Sequence, residues 1–251
     1  GKNMKVLITG AAGRVGNALW RSWETESRYE LTLTDLVDIE GANSRTEIGE
    51  LTNPDFAARV CSNQDVVVAL VYIKPDNVGE SNAGMTDIAM NMQLFELAHR
   101  AGVGTIVYAS SNHATGWNEH ISNPPVFSTA EQFNPDGWYG AMKGMAEIAG
   151  MNFVNVYNRR FISIRIGSFT TQSQPNSLRL CSTLLAPVDA AQLFGLAVDY
   201  EGPRKYLVTY GASENIHDGY TGFLDISIAK KELGYKPEVN VMSFRSRFEG
   251  K

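Results

Sequence analysis

Lys5-Val6-Leu7-Ile8-Thr9-Gly10-Ala11-Ala12-Gly13-Arg14-Val15-Gly16 runs from a short apolar segment through a glycine turn into an amphipathic stretch. The first four residues suit a strand buried on both faces, and the stretch from about Gly13 to Trp23 suits a helix. Glycines at such a turn let the backbone approach a pyrophosphate, and the helix start offers free N–H groups and positive potential. Tyr29 to Thr34 alternates as a second strand and ends at Asp35, 19 residues after Gly16. An acid at that distance fits a ribose 2′-hydroxyl and repels a 2′-phosphate, which selects NAD over NADP. A tight turn and a solvated strand-end acid would need no ligand. The strand-turn-helix context favours the dinucleotide, held by Gly10, Ala12, Gly13, Arg14, Val15, Gly16 and Asp35.

The alternation continues outward. Asn53-Pro54 opens a helix with Phe56, Ala57 and Val60 on one face, and Val66 to Val71 is a strand. Met85 to Ala101 carries Ile88, Met92, Phe95 and Ala98 near helical spacing and ends at Gly102. Thr105 to Ala109 is a strand, Gly137 to about Asn158 a long helix, and Phe161 to Ile166 another strand. Strands and helices in this order give an α/β, Rossmann-type doubly wound parallel sheet. Residues 1–166 form the expected NAD-binding core. Residues 167–251 form mainly a small substrate-binding lobe interleaved with that core in one unit. There a polar stretch, Thr170 to Ser177, precedes a helix from Pro187 to Val198 and a strand from Lys205 to Thr209. A last helix, Ser227 to Leu233, has Gly234 at its C-cap.

Two groups of residues suggest chemistry. Ala109-Ser110-Ser111-Asn112-His113 ends a strand at the carboxyl edge, where ligands bind in such sheets. Tyr139 and Lys143 lie four apart on a helix and so share a face. An ammonium beside a phenol stabilises phenolate and lowers its pKa toward working pH, making Tyr139 a candidate base. Ser111 would fix the reacting hydroxyl, and Lys143 would also hold the nicotinamide ribose. The pair alone also describes an ordinary amphipathic face; the glycine turn and the serine strand end favour catalysis.

The chain has 251 residues, 43% hydrophobic and 20% charged, with a net charge of −5. This excludes a disordered chain and argues against a nucleic-acid partner. The longest apolar run, Val66 to Ile73, is too short to cross a bilayer, and no signal peptide precedes Met4. A soluble, cytoplasmic protein with no membrane partner is expected. Cys61 and Cys181 read as two separate thiols. His99, His120 and His217 lack ligand spacing, so no metal is expected. Trp20, Trp23, Trp117 and Trp138 read as core or pocket wall.

The glycine loop, Asp35, Asn91, Ser111 and Tyr139-x-x-x-Lys143 together resemble the extended short-chain dehydrogenase/reductase superfamily, and the resemblance covers nearly the whole chain. Ile228 to Pro237 is similar to the C-terminal segment of its sugar-active members. Ser110 to His113, Arg165 to Ser168, and Pro175-Asn176 with Arg179 and Ser182-Thr183 resemble the NAD-dependent uronate dehydrogenases and related aldose 1-dehydrogenases. The resemblance implies oxidation of a sugar's anomeric carbon to a lactone by NAD. Glu50, Leu51, Leu70 and Asn91 would join the cofactor site. Ile73, Ser111, Asn112, His113, Ser168 and Arg179 would face the sugar.

Arg179, whose planar fork suits carboxylate, phosphate and sulfonate alike, is the expected reader of an anionic C6 group such as that of a hexuronate. It also reads as a surface arginine on a polar loop, and Ser168, Asn112 and His113 as partners for backbone groups. Three departures from the family pattern stand out: Met142 before the lysine, Glu50 for the usual Asp, and Val71-Tyr72-Ile73-Lys74 in place of smaller residues. Ile73 falls where uronate enzymes offer a serine. Sulfoquinovose and glucose-6-phosphate 1-dehydrogenases fit the same pattern, as does a sugar-nucleotide epimerase, although the segment after Gly167 is short for a nucleotide handle. A catalytically idle NAD-sensing scaffold is the non-enzyme alternative. A homo-oligomer is compatible with all of these.

Overall fold

Seven strands lie side by side in the order β3-β2-β1-β4-β5-β6-β9, every neighbouring pair parallel. The computed structural model describes residues 3–74, 79–125, 127–128 and 131–250. The chain runs β1 (Lys5–Thr9), α1 (Arg14–Thr25), β2 (Glu30–Asp35), β3 (Arg45–Ile48), α2 (Pro54–Cys61), β4 (Val66–Ala69), α3 (Glu80–Arg100) and β5 (Thr105–Ser111). After a 3₁₀ turn at Asn112–Thr115 come α4 (Asn118–Ile121), α5 (Trp138–Tyr157), β6 (Arg160–Ile166), β7 (Ser168–Phe169), α6 (Leu180–Thr183) and β8 (Leu184–Leu185). The remainder is α7 (Pro187–Asp199), β9 (Tyr206–Gly211), β10 (Ile216–His217), β11 (Tyr220–Thr221), α8 (Ser227–Leu233) and a 3₁₀ segment, Met242–Phe248.

Burial on both sheet faces explains the continuous apolar strands. Val6 and Ile8 pack to one side with Trp20 and Trp23 of α1 and Leu193 and Phe194 of α7. Leu7 points the other way, into a cluster holding Phe95 of α3, Phe153 of α5 and Phe161 of β6. The segment after Gly167 is woven into this core. β9 pairs with β6, and α7 lies against α1, where the Trp23 indole donates to the Ala191 carbonyl at 3.2 Å. The other indoles divide: Trp20 is buried, and Trp117 and Trp138 are exposed.

Several expected boundaries move. α3 starts at Glu80, five residues before Met85; its first residues, Glu80 to Asn82, are polar and exposed and carry no apolar signal. Its buried face carries Asp87, Met90, Asn91 and Leu94 beside Phe95 and Ala98, and Met92 points outward, 58% exposed. Edge strand β3 was not expected. Its residues Arg45-Thr46-Glu47-Ile48 lack an apolar run, and what holds them is pairing with β2. The late strand extends to Gly211, and α8 ends at Gly234 in the left-handed region (φ 71°). Cys61 and Cys181 are buried free thiols. No helix among the described residues is long and apolar enough to cross a membrane.

Candidate active site

The strand order reverses between β1 and β4, which opens a crevice at their carboxyl ends. Gly10 sits there at φ 71°, and a Cβ on it would press to 3.3 Å from the Leu70 backbone. Gly16 lets α1 close on the turn: a Cβ there would lie 2.4 Å from the Gly10 carbonyl oxygen. No side chain caps α1, and its first turn holds no acid, so the N–H groups of that turn face the crevice. The Asp35 carboxylate is fixed by the Ala12 N–H at 2.9 Å and the Leu36 N–H at 2.6 Å.

These parts line a cleft of about 970 Å³. Gly10, Ala12, Gly13, Arg14, Val15, Gly16, Asp35, Glu50, Leu51 and Leu70 line it. Ile73, Ser111, His113, Tyr139, Lys143 and Ser168 line it as well, with Tyr72 beside them. An uncapped helix start, a glycine cradle with no room for side chains and a pinned acid fit a dinucleotide.

Three expected residues lie behind the wall. Asn91 is 1% exposed and donates to the backbone and carboxylate of Asp87 at 3.0 and 3.1 Å. Asn112 is fully buried, its side-chain oxygen 3.4 Å from the Ser111 hydroxyl. Arg179 reaches the cleft only through Ser168, because Glu119 holds its guanidinium.

Lys143 is buried beneath the cleft floor. Its ammonium donates to the Ala109 carbonyl at 2.8 Å and lies 5.0, 5.2 and 5.7 Å from the ring centres of Tyr108, Tyr72 and Tyr139. Burial lowers its pKa from 10.5 to about 8, against the carboxylates of Asp87 and Glu147, which raise it. Burial in turn raises Asp87, with the Lys143 charge opposing. Asp87 also accepts the Ile73 N–H at 2.9 Å, so it ties the β4–α3 connection to the helix below.

The Tyr139 phenol does not follow the expected direction. Burial, then Tyr72, push it up to about 12, and a hydrogen bond with Ser111 pulls it down. Burial outweighs the neighbouring ammonium, so without cofactor the phenol keeps its proton. Tyr72 packs edge-on against Tyr139 at 5.7 Å, and the His113 ring lies 5.9 Å from it on another edge. His113 is fixed by Asp136 at 2.8 Å. Gly140 seats α5 on the turn after β5, since a Cβ there would lie 2.0 Å from the His113 carbonyl oxygen.

Behind Ser111 is a buried charged network. The Ser110 hydroxyl donates to Glu147 at 2.8 Å, and Arg165 Nε donates to the same oxygen at 3.0 Å. Sequence reasoning passed over Asp87, Glu119 and Glu147, and met Tyr72 only as part of an unusual segment. An acid at position 87, four before Asn91 on an otherwise apolar face, was a usable signal; Glu119 gave none, because its partner is 60 residues away. No cluster of potential metal ligands occurs among the described residues.

A nucleotide cradle joined to a Ser-Tyr-Lys set at one sheet edge defines a dinucleotide-dependent enzyme of the doubly wound class. The chain belongs to the NAD dependent epimerase/dehydratase family, whose pattern matches residues 6–197, and its cofactor is NAD. It is 27% identical to a uronate dehydrogenase of Pseudomonas syringae pv. tomato over 98% of this chain and 86% of that protein. It is 28% identical to an NAD-dependent glucose-6-phosphate dehydrogenase of Haloferax volcanii over 98% of this chain and 96% of that protein. Among solved structures it resembles the glucuronic acid dehydrogenase of Chromohalobacter salexigens, with TM-score 0.82 and 26% identity over 100% of this chain and 90% of that one. The uronate dehydrogenase of Agrobacterium tumefaciens gives 0.79 and 27% over 97% and 88%.

Proposed function

We propose that this protein oxidises the anomeric (C1) hydroxyl of a cyclic sugar to the lactone with NAD. The observation that carries the proposal is the convergence of Ser111, Tyr139 and Lys143 on one cleft with the glycine loop. Relatives named for uronates, glucose 6-phosphate and L-arabinose support a sugar as substrate.

Bound NAD supplies the hydride acceptor. Ser111 holds the C1 hydroxyl, with its own oxygen oriented by the His113 N–H at 3.0 Å. Tyr139 takes the hydroxyl proton as the C–H bond breaks. Lys143 stabilises the developing phenolate through its charge, and Asp87 and Glu147 favour the charged form of the lysine. Tyr72 and Ile73 line the cleft beyond the end of β4. Ser168 presents a hydroxyl to the sugar, and Arg179 stands behind it.

The test is NADH formation at the nicotinamide absorbance with a panel of aldoses. One or more should be oxidised, and Tyr139→Phe should lower turnover by about 10²-fold or more while NAD binding survives. Near-normal turnover in Tyr139→Phe would mean that another group takes the proton.

A further inference from the structure

The Arg179 guanidinium already has an anion. Nε donates to Glu119 Oε1 at 2.7 Å and Nη2 to Oε2 at 3.0 Å, and the carboxylate is the deeper partner, 18% exposed against 38% for the arginine. Nη1 reaches the Ser168 hydroxyl at 3.4 Å, and that hydroxyl is also 3.0 Å from Thr183 Oγ1. Of these groups Ser168 lines the cleft. The cleft therefore meets this end of the molecule as a hydroxyl backed by a neutralised pair.

An anionic group arriving here has two routes, both unfavourable. Displacing Glu119 leaves a largely buried carboxylate without its cation. Approaching beside it sets two negative groups against one guanidinium. A sugar hydroxyl meets neither cost, since Ser168 and an Nη1–H suit an uncharged donor and acceptor. Ile73 adds no compensating polar contact: its side chain has none to offer, and Asp87 holds its N–H.

We infer that Glu119 is a specificity-determining residue that sets the substrate class to aldoses with an uncharged far end, against uronates and sugar phosphates. The inference rests on the sugar-oxidation reading above. Glu119→Gln keeps an oxygen for Arg179 and removes only the charge, which frees the guanidinium to pair with an anion.

The experiment measures kcat/KM with NAD for matched sugars in the unmodified protein and in Glu119→Gln: glucose against glucuronate and glucose 6-phosphate, and galactose against galacturonate. The unmodified protein should favour the neutral member by about 10-fold or more, and Glu119→Gln should shift that ratio toward the anion by about 10-fold, chiefly through KM. A preference of the unmodified protein for the anionic member overturns the inference and leaves sugar oxidation standing; this comparison needs no variant to fold. An unchanged ratio in a folded Glu119→Gln overturns it as well. No NADH from any sugar, neutral or anionic, overturns both readings.

Discussion

Lys143 places its ammonium 2.8 Å from the carbonyl oxygen of Ala109, two residues before Ser111 on the same strand. One hydrogen bond thus joins the helix carrying Tyr139 to the strand carrying Ser111, and it does so through a buried charge. The lysine is held by a carbonyl, three aromatic rings and two carboxylates, and burial still wins, bringing its pKa down to about 8.

That balance has a sign that can be measured. Between about pH 8 and 10.5 the unfolded chain binds more protons at Lys143 than the folded protein does, so this residue makes stability rise with pH across the window. In Lys143→Met that contribution vanishes. Tm should climb more steeply from about pH 8 to 10 in the unmodified protein than in the variant, and parallel profiles would remove the lysine from the account.

Asp35 is expected to govern the choice between the two nicotinamide cofactors. Its carboxylate is fixed beside the loop by two backbone N–H groups, so it cannot swing away from a 2′-phosphate. The kcat/KM ratio of NAD to NADP should exceed about 10 and should narrow in Asp35→Ser. Equal use of both by the unmodified protein would refute the assignment.

Glu147 offers a test of stability. The carboxylate is fully buried and Arg165 is 4% exposed, so Glu147→Ala strands a cation in the interior. The loss should be about 3–5 kcal/mol in urea unfolding. A cost below about 1 kcal/mol, the range of exposed pairs, would show that water reaches Arg165.

The fold was legible because its strands are buried on both faces and its turns carry their own chemistry. Val66 to Ala69 needs no partner to be recognised as a strand, and the Asn53 side chain caps α2 by accepting from Asp55 and Phe56, as Asn-Pro suggests. Strand β3 was illegible because its reason to exist lies in β2. The glycine loop, Ser111, Tyr139 and Lys143 could be named from spacing, since each pair lies on one element or at a strand end. Which way the phenol titrates, and whether Arg179 is free, depend on burial and on contacts between distant segments. Spacing carries neither.

Tyr139, Lys143 and Glu147 follow one another at intervals of four along α5. The Tyr139 phenol, the Lys143 ammonium and the buried Glu147 carboxylate are thus three rungs of a single stripe, and any slip or roll of that helix displaces all three at once. A substitution that shifts α5 therefore moves the three together. Glu119, Ile73 and Arg179 sit on separate segments and can each be exchanged without touching α5. The groups at that end of the site can therefore be changed one at a time, and those along α5 move together with the helix.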